Sequence, residues 1–223
     1  PVTRVTTIDP SDTKEHAVLI SRASLAGVQP KLPIIKDTVE YRPTGRDELS
    51  THIAKFPSAT HPTILETEYL TTTAFNILIP DDTVVSMHID RIKGIENTDA
   101  LLIERFDRQV IQLKRDSKAP CNAPIKSSKT TIHRIHFEEF NQLLKRRSKE
   151  KYNGAYNDMA TFISEEKPCL PVQNYRLYKR ILAGLLLGNT DMHLKNFALF
   201  HTETGLRLTP SYDQVAASIH GYK

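Results

Sequence analysis

The stretch Gly188-Asn189-Thr190-Asp191-Met192-His193-Leu194-Lys195-Asn196-Phe197 sets an aspartate five positions ahead of an asparagine, between a long apolar run and a short one. A carboxylate so placed can accept or orient the proton of an attacking hydroxyl. A neutral oxygen a few residues on can hold magnesium on a chain of phosphates. A second acid, Asp213, follows a short hairpin pattern in Tyr212-Asp213-Gln214, where a second magnesium ligand belongs. Magnesium keeps several of its waters, so Asn196, Asp213 and the phosphates suffice as its other ligands. Upstream, Lys55 sits at the end of a strand-like segment and Glu68 lies in the helical segment after it. Paired, the two would hold an ammonium against nucleotide phosphates. Ser24 to Lys31, with Gly27 at its centre, could cover those phosphates with backbone N–H groups. The chemistry these residues suit is transfer of a phosphoryl group from ATP with Mg2+.

Each feature also has an ordinary explanation. Asp and Asn five apart recur by chance, a strand-end lysine is often simply solvated, Glu68 could be a surface charge, and Gly27 marks a turn. What gives them weight is their order: loop, lysine, glutamate, linker, Asp…Asn and final Asp succeed one another as in protein kinases. Two other readings fit the same parts. One is a catalytically silent module that binds a nucleotide or a partner; the other is a kinase acting on a small molecule.

Elements must bring these residues together. Ala17–Ile20 and Lys31–Ile35 read as strands of a hairpin whose tip carries Gly27, and Thr51–Phe56 alternates like a half-buried strand. Apolar residues at helical spacing (Leu65, Tyr69, Leu70, Ala74, Ile77, Leu78) predict a helix over Ile64–Ile79, closed by Pro80. Val84–Ile89 and Leu101–Phe106 supply two more strands. Residues Gln112–Thr131, rich in Lys, Ser and Pro, read as a loop. Helices are then expected over Phe137–Arg146, Tyr156–Ile163 and Tyr175–Leu187, and short strands over Phe197–Phe200 and Leu206–Leu208. The fold class is α+β: a two-lobed, kinase-like cleft with a sheet-rich N-lobe over residues 1–108 and a helical C-lobe over 109–223.

Bulk properties agree. With 39% hydrophobic and 25% charged residues, the 223-residue chain has the composition of a globular protein. A net charge of +4 is too mild to predict direct DNA binding, and the basic run Lys145, Arg146, Arg147, Lys149, Lys151 reads as a solvated helix end or a docking surface. Cys121 and Cys169 stand alone, which argues against a zinc motif or a disulfide framework and for a cytoplasmic setting. No apolar run is long enough to span a bilayer. The first residue is Pro1, so an excerpt of a longer product is expected.

Several segments resemble one family closely. Ser24-Leu25-Ala26-Gly27-Val28-Gln29-Pro30-Lys31 is similar to the phosphate loop of the HipA kinases, Thr51–Lys55 to their lysine strand, and Glu66-Thr67-Glu68-Tyr69 to their Asn-Glu-Tyr helix start. Glu104-Arg105-Phe106-Asp107-Arg108 matches their hinge almost letter for letter. Leu187–Phe197 resembles their catalytic loop, and Leu208–Asp213 their metal-binding turn. The resemblance implies a serine/threonine kinase toxin with Asp191 as catalytic aspartate and Asn196 and Asp213 as Mg2+ ligands. It puts Lys55 on the phosphates, positioned by Glu68. It also implies ATP contacts from Ser24, Ala26, Gly27, Val28, Gln29, Lys31, His193 and Lys195, with Glu104 and Phe106 meeting adenine through the backbone. Autophosphorylation would fall on Ser24, or on Ser21, and would add nearly two negative charges where ATP phosphates sit. The implied partners are an aminoacyl-tRNA synthetase as substrate, a helix-turn-helix antitoxin, and a separate small protein replacing the N-terminal subdomain, as in the HipT type. Pro30 stands where the family has an acidic residue. The C-lobe is expected to be incomplete, since the family continues with helices beyond the Tyr-Asp turn.

Overall fold

The computed structural model describes residues 29–37, 39–45, 47–57, 60–112 and 130–221. The expected strand 17–20, its glycine-tipped hairpin, most of the stretch 112–131, and Ser21, Ser24, Ala26, Gly27 and Val28 lie outside these.

A five-stranded antiparallel sheet has the order β2-β1-β3-β5-β4, built from β1 (Lys31–Lys36), β2 (Tyr41–Pro43), β3 (His52–Lys55), β4 (Met87–Ile92) and β5 (Ile95–Glu104). Its centre is β3, flanked on both sides, so the segment expected to be half-buried is largely enclosed and Lys55 is buried. In β5 the run Ala100-Leu101-Leu102-Ile103 is buried throughout, so its side chains on both faces of the strand are withdrawn from water. Leu102 packs with Leu32, Ile34, Tyr41 and Ala54; Leu101 and Ile103 pack with Leu65 and Val85.

Helix α1 (Ile64–Leu78) lies against the second of these faces. It buries Leu65, Glu68, Thr71, Thr72 and Phe75, a stripe at spacings of three and four that turns one face inward. Leu70, Ile77 and Leu78, part of the apolar pattern that predicts the helix, are exposed. The buried face is thus partly polar, and Glu68 is fully enclosed.

The strand expected at Val84–Ile89 is displaced to Met87–Ile92. Val84 instead forms a parallel bridge with Ser211, reinforced by bonds from Ser211 N to Thr83 O (2.8 Å) and from Val85 N to Ser211 O (3.0 Å). The hinge strand ends at Glu104, and Phe106 lies in the turn beyond it. Strands β6 (Arg108–Gln112) and β7 (Thr130–Arg134) form an antiparallel pair that flanks the expected loop.

The helix expected over Phe137–Arg146 is a second correction. Phe137–Glu139 is strand β8, paired with β9 (Ala198–Thr202), which pairs in turn with β10 (Gly205–Leu208). Only Phe140–Leu143 is helical (α2), and the chain turns away at Lys145, whose φ is 55°. Pairing with β9 competes successfully with the local helical pattern because it also places Phe137 in an aromatic cluster. The remaining helices, α3 (Tyr156–Glu165) and α4 (Val172–Leu186), match the sequence reading to within a few residues. Their core comprises Phe140, Met159, Ile163, Leu177, Met192, Leu194, Phe197 and Leu199. The architecture is the expected two-lobed α+β one. Among the described residues no helix is long and apolar enough to cross a membrane.

The candidate active site

Lys55 and Lys31 are cross-strand partners at the ends of β3 and β1. The Lys55 ammonium touches two carboxylates: Glu68 Oε1 at 2.6 Å and Asp213 Oδ1 at 2.5 Å. Three segments far apart in sequence therefore meet at one nitrogen. Burial disfavours the Lys55 charge, but Asp213 and Glu68 outweigh it and hold the ammonium above its ordinary range. Burial likewise opposes the Asp213 charge, yet Lys55 and Lys31 keep that carboxyl well below the usual carboxylate range. Glu68, with no exposure at all, is pushed up by burial, an effect Lys55 offsets only in part. Lys31 is lowered by burial and by the Lys55 charge, against the pull of Asp213. Two ammonium groups converging beside one half-buried carboxylate suit a polyphosphate carrying a cation.

Asp213 occupies the left-handed region, with φ of 53°, which favours glycine and is tolerated by Asp and Asn. Its neighbours hold it there. Tyr212 stacks on Phe106 with ring centroids 5.2 Å apart, and its hydroxyl donates to the Lys195 carbonyl at 2.7 Å. On the other side Gln214 is buried; its amide nitrogen donates to Tyr212 O and its Oε1 accepts from Asn189 Nδ2, both at 3.1 Å. Asn189 Oδ1 in turn accepts from the Asp191 N–H at 3.1 Å. This Asn189–Gln214 clasp fixes the candidate catalytic loop to the turn that carries Asp213. Sequence reasoning gave neither residue a role. The only available signal was a pair of amides flanking the two acids.

Within the loop, Asn196 Nδ2 donates to the Asp191 carbonyl at 2.8 Å, which leaves Oδ1 as the atom able to ligate a cation. The 3₁₀ turn Leu194–Asn196 and the αL residue Gly188 shape the loop. The positive φ of Gly188 favours glycine, and a Cβ there would also oblige the Ser218 hydroxyl, 2.3 Å away, to rotate aside. Asp191 Oδ1 accepts a bond from the Tyr152 hydroxyl at 2.7 Å. Lys151, read from sequence as part of a solvated basic run, turns to His193 Nε2 at 2.9 Å. Burial and the Lys151 charge hold His193 below its ordinary range against the pull of Asp191. Lys195 faces Ser148 and Glu139. A cavity of about 340 Å³ borders the loop, lined by Lys151, Tyr152, Tyr156, Met192 and His193.

The hinge motif has a structural role beyond the expected one. Arg105 grips Asp107 with two nitrogens at 2.9 and 2.7 Å and reaches Ser50, while Arg108 binds both the carboxylate and the carbonyl of Asp107. The Glu104 N–H is committed to the Ser86 carbonyl, so an adenine contact there would use the Glu104 carbonyl. The Phe106 ring packs against Phe137, Phe200 and Tyr212, joining the hinge motif, the C-lobe sheet and the Asp213 turn. Gln29 donates to the Phe56 carbonyl at 2.9 Å, anchoring the start of β1 beside Lys55. A buried pair, Arg180 with Asp82, ties α4 to the N-lobe, and Arg180 also binds Thr209 O ahead of the turn.

A sheet lobe and a helical lobe, with a strand lysine, helix glutamate and turn aspartate joined between them, define a protein of the kinase-like fold. The family model for the HipA-like C-terminal domain matches residues 23–222, and the chain belongs to that family. The chain is 30% identical over 205 residues to the serine/threonine-protein kinase toxin HipA of Shewanella oneidensis, covering 89% of this chain and 44% of that protein. It spans about half the length of the curated relatives it matches. A solved complex of Shewanella oneidensis HipA with HipB and operator DNA contains a chain that superposes with a TM-score of 0.67 at 24% identity, covering 98% of this chain and 52% of that one. The Helicobacter pylori proinflammatory kinase CtkA gives 0.54 at 16% identity over 85% of this chain and 54% of that one, a likeness of fold alone.

Proposed function

We propose that the chain is the phosphotransfer part of a serine/threonine protein kinase toxin, moving the γ-phosphoryl group of ATP to a protein hydroxyl. The observation that carries the reading is the Lys55 ammonium held between Glu68 and Asp213, in a site whose neighbouring loop presents Asp191 and Asn196. Lys55 and Lys31 would bind the phosphates, Asp191 would orient the acceptor hydroxyl, and Glu68 would keep Lys55 in place. Asn196 Oδ1 and Asp213 are hard oxygen donors and fit a magnesium ion. When bound, that ion would neutralise charge on the transferring phosphoryl group. Asp213 would then exchange its Lys55 contact for the cation, freeing the ammonium for phosphate. Adenine would meet the Glu104–Phe106 backbone, and the cavity beside Asp191 would receive the acceptor side chain. The lobe division would fall near residue 108.

By analogy with the family, autophosphorylation would fall on Ser24, the target would be an aminoacyl-tRNA synthetase, and the setting would be a cytoplasmic toxin–antitoxin pair. The HipA–HipB complex supports an antitoxin as partner, and a helix-turn-helix fold for it would follow by the same family analogy. The test uses radiolabelled ATP and the purified chain, with and without candidate synthetases. Label transferred by the wild type but not by Asp191→Asn, with nucleotide binding retained in both, is the expected result. Binding without transfer to any protein, in the chain extended to the length of its relatives, would overturn the reading.

A further inference from the structure

On the sheet that carries the candidate catalytic loop, a second group of side chains converges that phosphotransfer does not use. His136 stands opposite His201 across the β8/β9 ladder, as the bond from His201 N to His136 O (3.2 Å) and the Phe137↔Phe200 pairing establish. Glu138 is two residues after His136, so strand alternation returns it to the same face. Phe137 points the other way, into the aromatic cluster with Phe106. The outcome is two imidazoles and one carboxylate on one small patch. Ligand atoms from all three residues lie within 4.8 Å of one another, His201 Nε2 is 2.6 Å from Glu138 Oε2, and the two imidazole centroids are 4.5 Å apart.

Tetrahedral zinc with bonds near 2.0–2.1 Å separates neighbouring ligand atoms by about 3.3 Å. One pair here stands somewhat inside that spacing, and the set as a whole reaches somewhat beyond it. Side-chain rotations alone would reconcile them, because the strand pairing already fixes the backbone. Imidazole ligands select a borderline transition ion over magnesium, and three protein ligands leave the fourth position open to solvent. We infer that His136, Glu138 and His201 form a binding site for a divalent transition-metal ion of the zinc class, separate from the nucleotide cleft. Such an ion would cross-link β8 to β9, and β9 follows directly from the loop bearing Asn196. The inference is independent of phosphotransfer.

The test is a calorimetric titration of the untagged, metal-stripped full chain with Zn2+, paired with the visible spectrum of the Co2+-loaded protein. One saturable equivalent and tetrahedral Co2+ bands are expected, with a rise in melting temperature on loading. His136→Ala, Glu138→Ala and His201→Ala should each weaken binding at least tenfold, whereas His133→Ala, an exposed histidine on β7, should not. Circular dichroism checks that the variants keep their fold. Absence of a saturable equivalent, or one that survives all three substitutions, would overturn the site and leave a surface His–Glu ion pair.

Discussion

Replacing Lys55 by methionine keeps the stem and removes the charge, which leaves Glu68 with no exposure and without its hydrogen-bonded counter-ion. At 2.6 Å the lost attraction is gross, about 6 kcal/mol at an effective dielectric constant of 20. Much of it offsets desolvation, and removing one partner of a buried pair costs about 3–5 kcal/mol net. For a domain of this size that is a fall in melting temperature of about 6–20 °C near neutral pH. The pH dependence is the sharper signature. In the wild type Lys55 is the main restraint on the upward push of burial on Glu68; in Lys55→Met only the weaker pull of Lys31 remains, against the repulsion of Asp213. A carboxyl whose folded pKa exceeds its unfolded value binds more protons folded than unfolded, so stability is lost as pH rises through that folded value. Over pH 5–7 the variant should therefore lose stability with rising pH by up to about 1.4 kcal/mol per unit, more steeply than the wild type. Thermal melts followed by circular dichroism at pH 5, 6 and 7 measure this. Lys55→Met/Glu68→Gln should flatten the slope and recover most of the loss. A single variant with the wild type's slope, or a double variant no more stable than the single, would refute the buried-pair account.

Asp213→Ala should weaken magnesium-dependent nucleotide binding at least tenfold by calorimetry while leaving weak metal-free binding in place; equal affinity with magnesium would remove it from the cation site. Because the depressed Asp213 carboxyl contributes stability above about pH 4 that is lost as pH falls through its folded value, Asp213→Asn should flatten the acid limb of the wild-type melting profile. Tyr152→Phe removes the hydroxyl now seated on Asp191 Oδ1 and should lower KM for the protein acceptor with little change in nucleotide affinity; a raised KM would make Tyr152 part of acceptor binding. Gln214→Ala breaks the clasp to Asn189 and should cut kcat tenfold or more while the melting temperature falls by only a few degrees, about 1–2 kcal/mol for one buried hydrogen-bond partner. An unchanged kcat would show that the clasp does not position Asp191 and Asp213.

The sequence alone fixed a good deal. Residue type and order along the chain picked out Lys55, Glu68, Asp191, Asn196 and Asp213, because phosphate and cation chemistry accepts few alternatives, and the structure joins Lys55, Glu68 and Asp213 at one nitrogen. Long periodic segments, α1, α3 and α4, were legible because helical spacing is a local property. Tertiary structure decided the rest. Phe137–Glu139 is a strand because a partner about 60 residues away in sequence offers it a ladder, and periodicity carries no knowledge of partners. Which face of α1 turns inward depended on what lies beneath it: the sheet and the Asp213 turn select Glu68, Thr71 and Thr72 over Leu70 and Ile77. The Asn189–Gln214 clasp, the Tyr152 contact and the His136–Glu138–His201 patch share that origin. Each is a pairing of side chains brought together by strand register or loop packing, and a linear chain specifies such meetings only once it has folded.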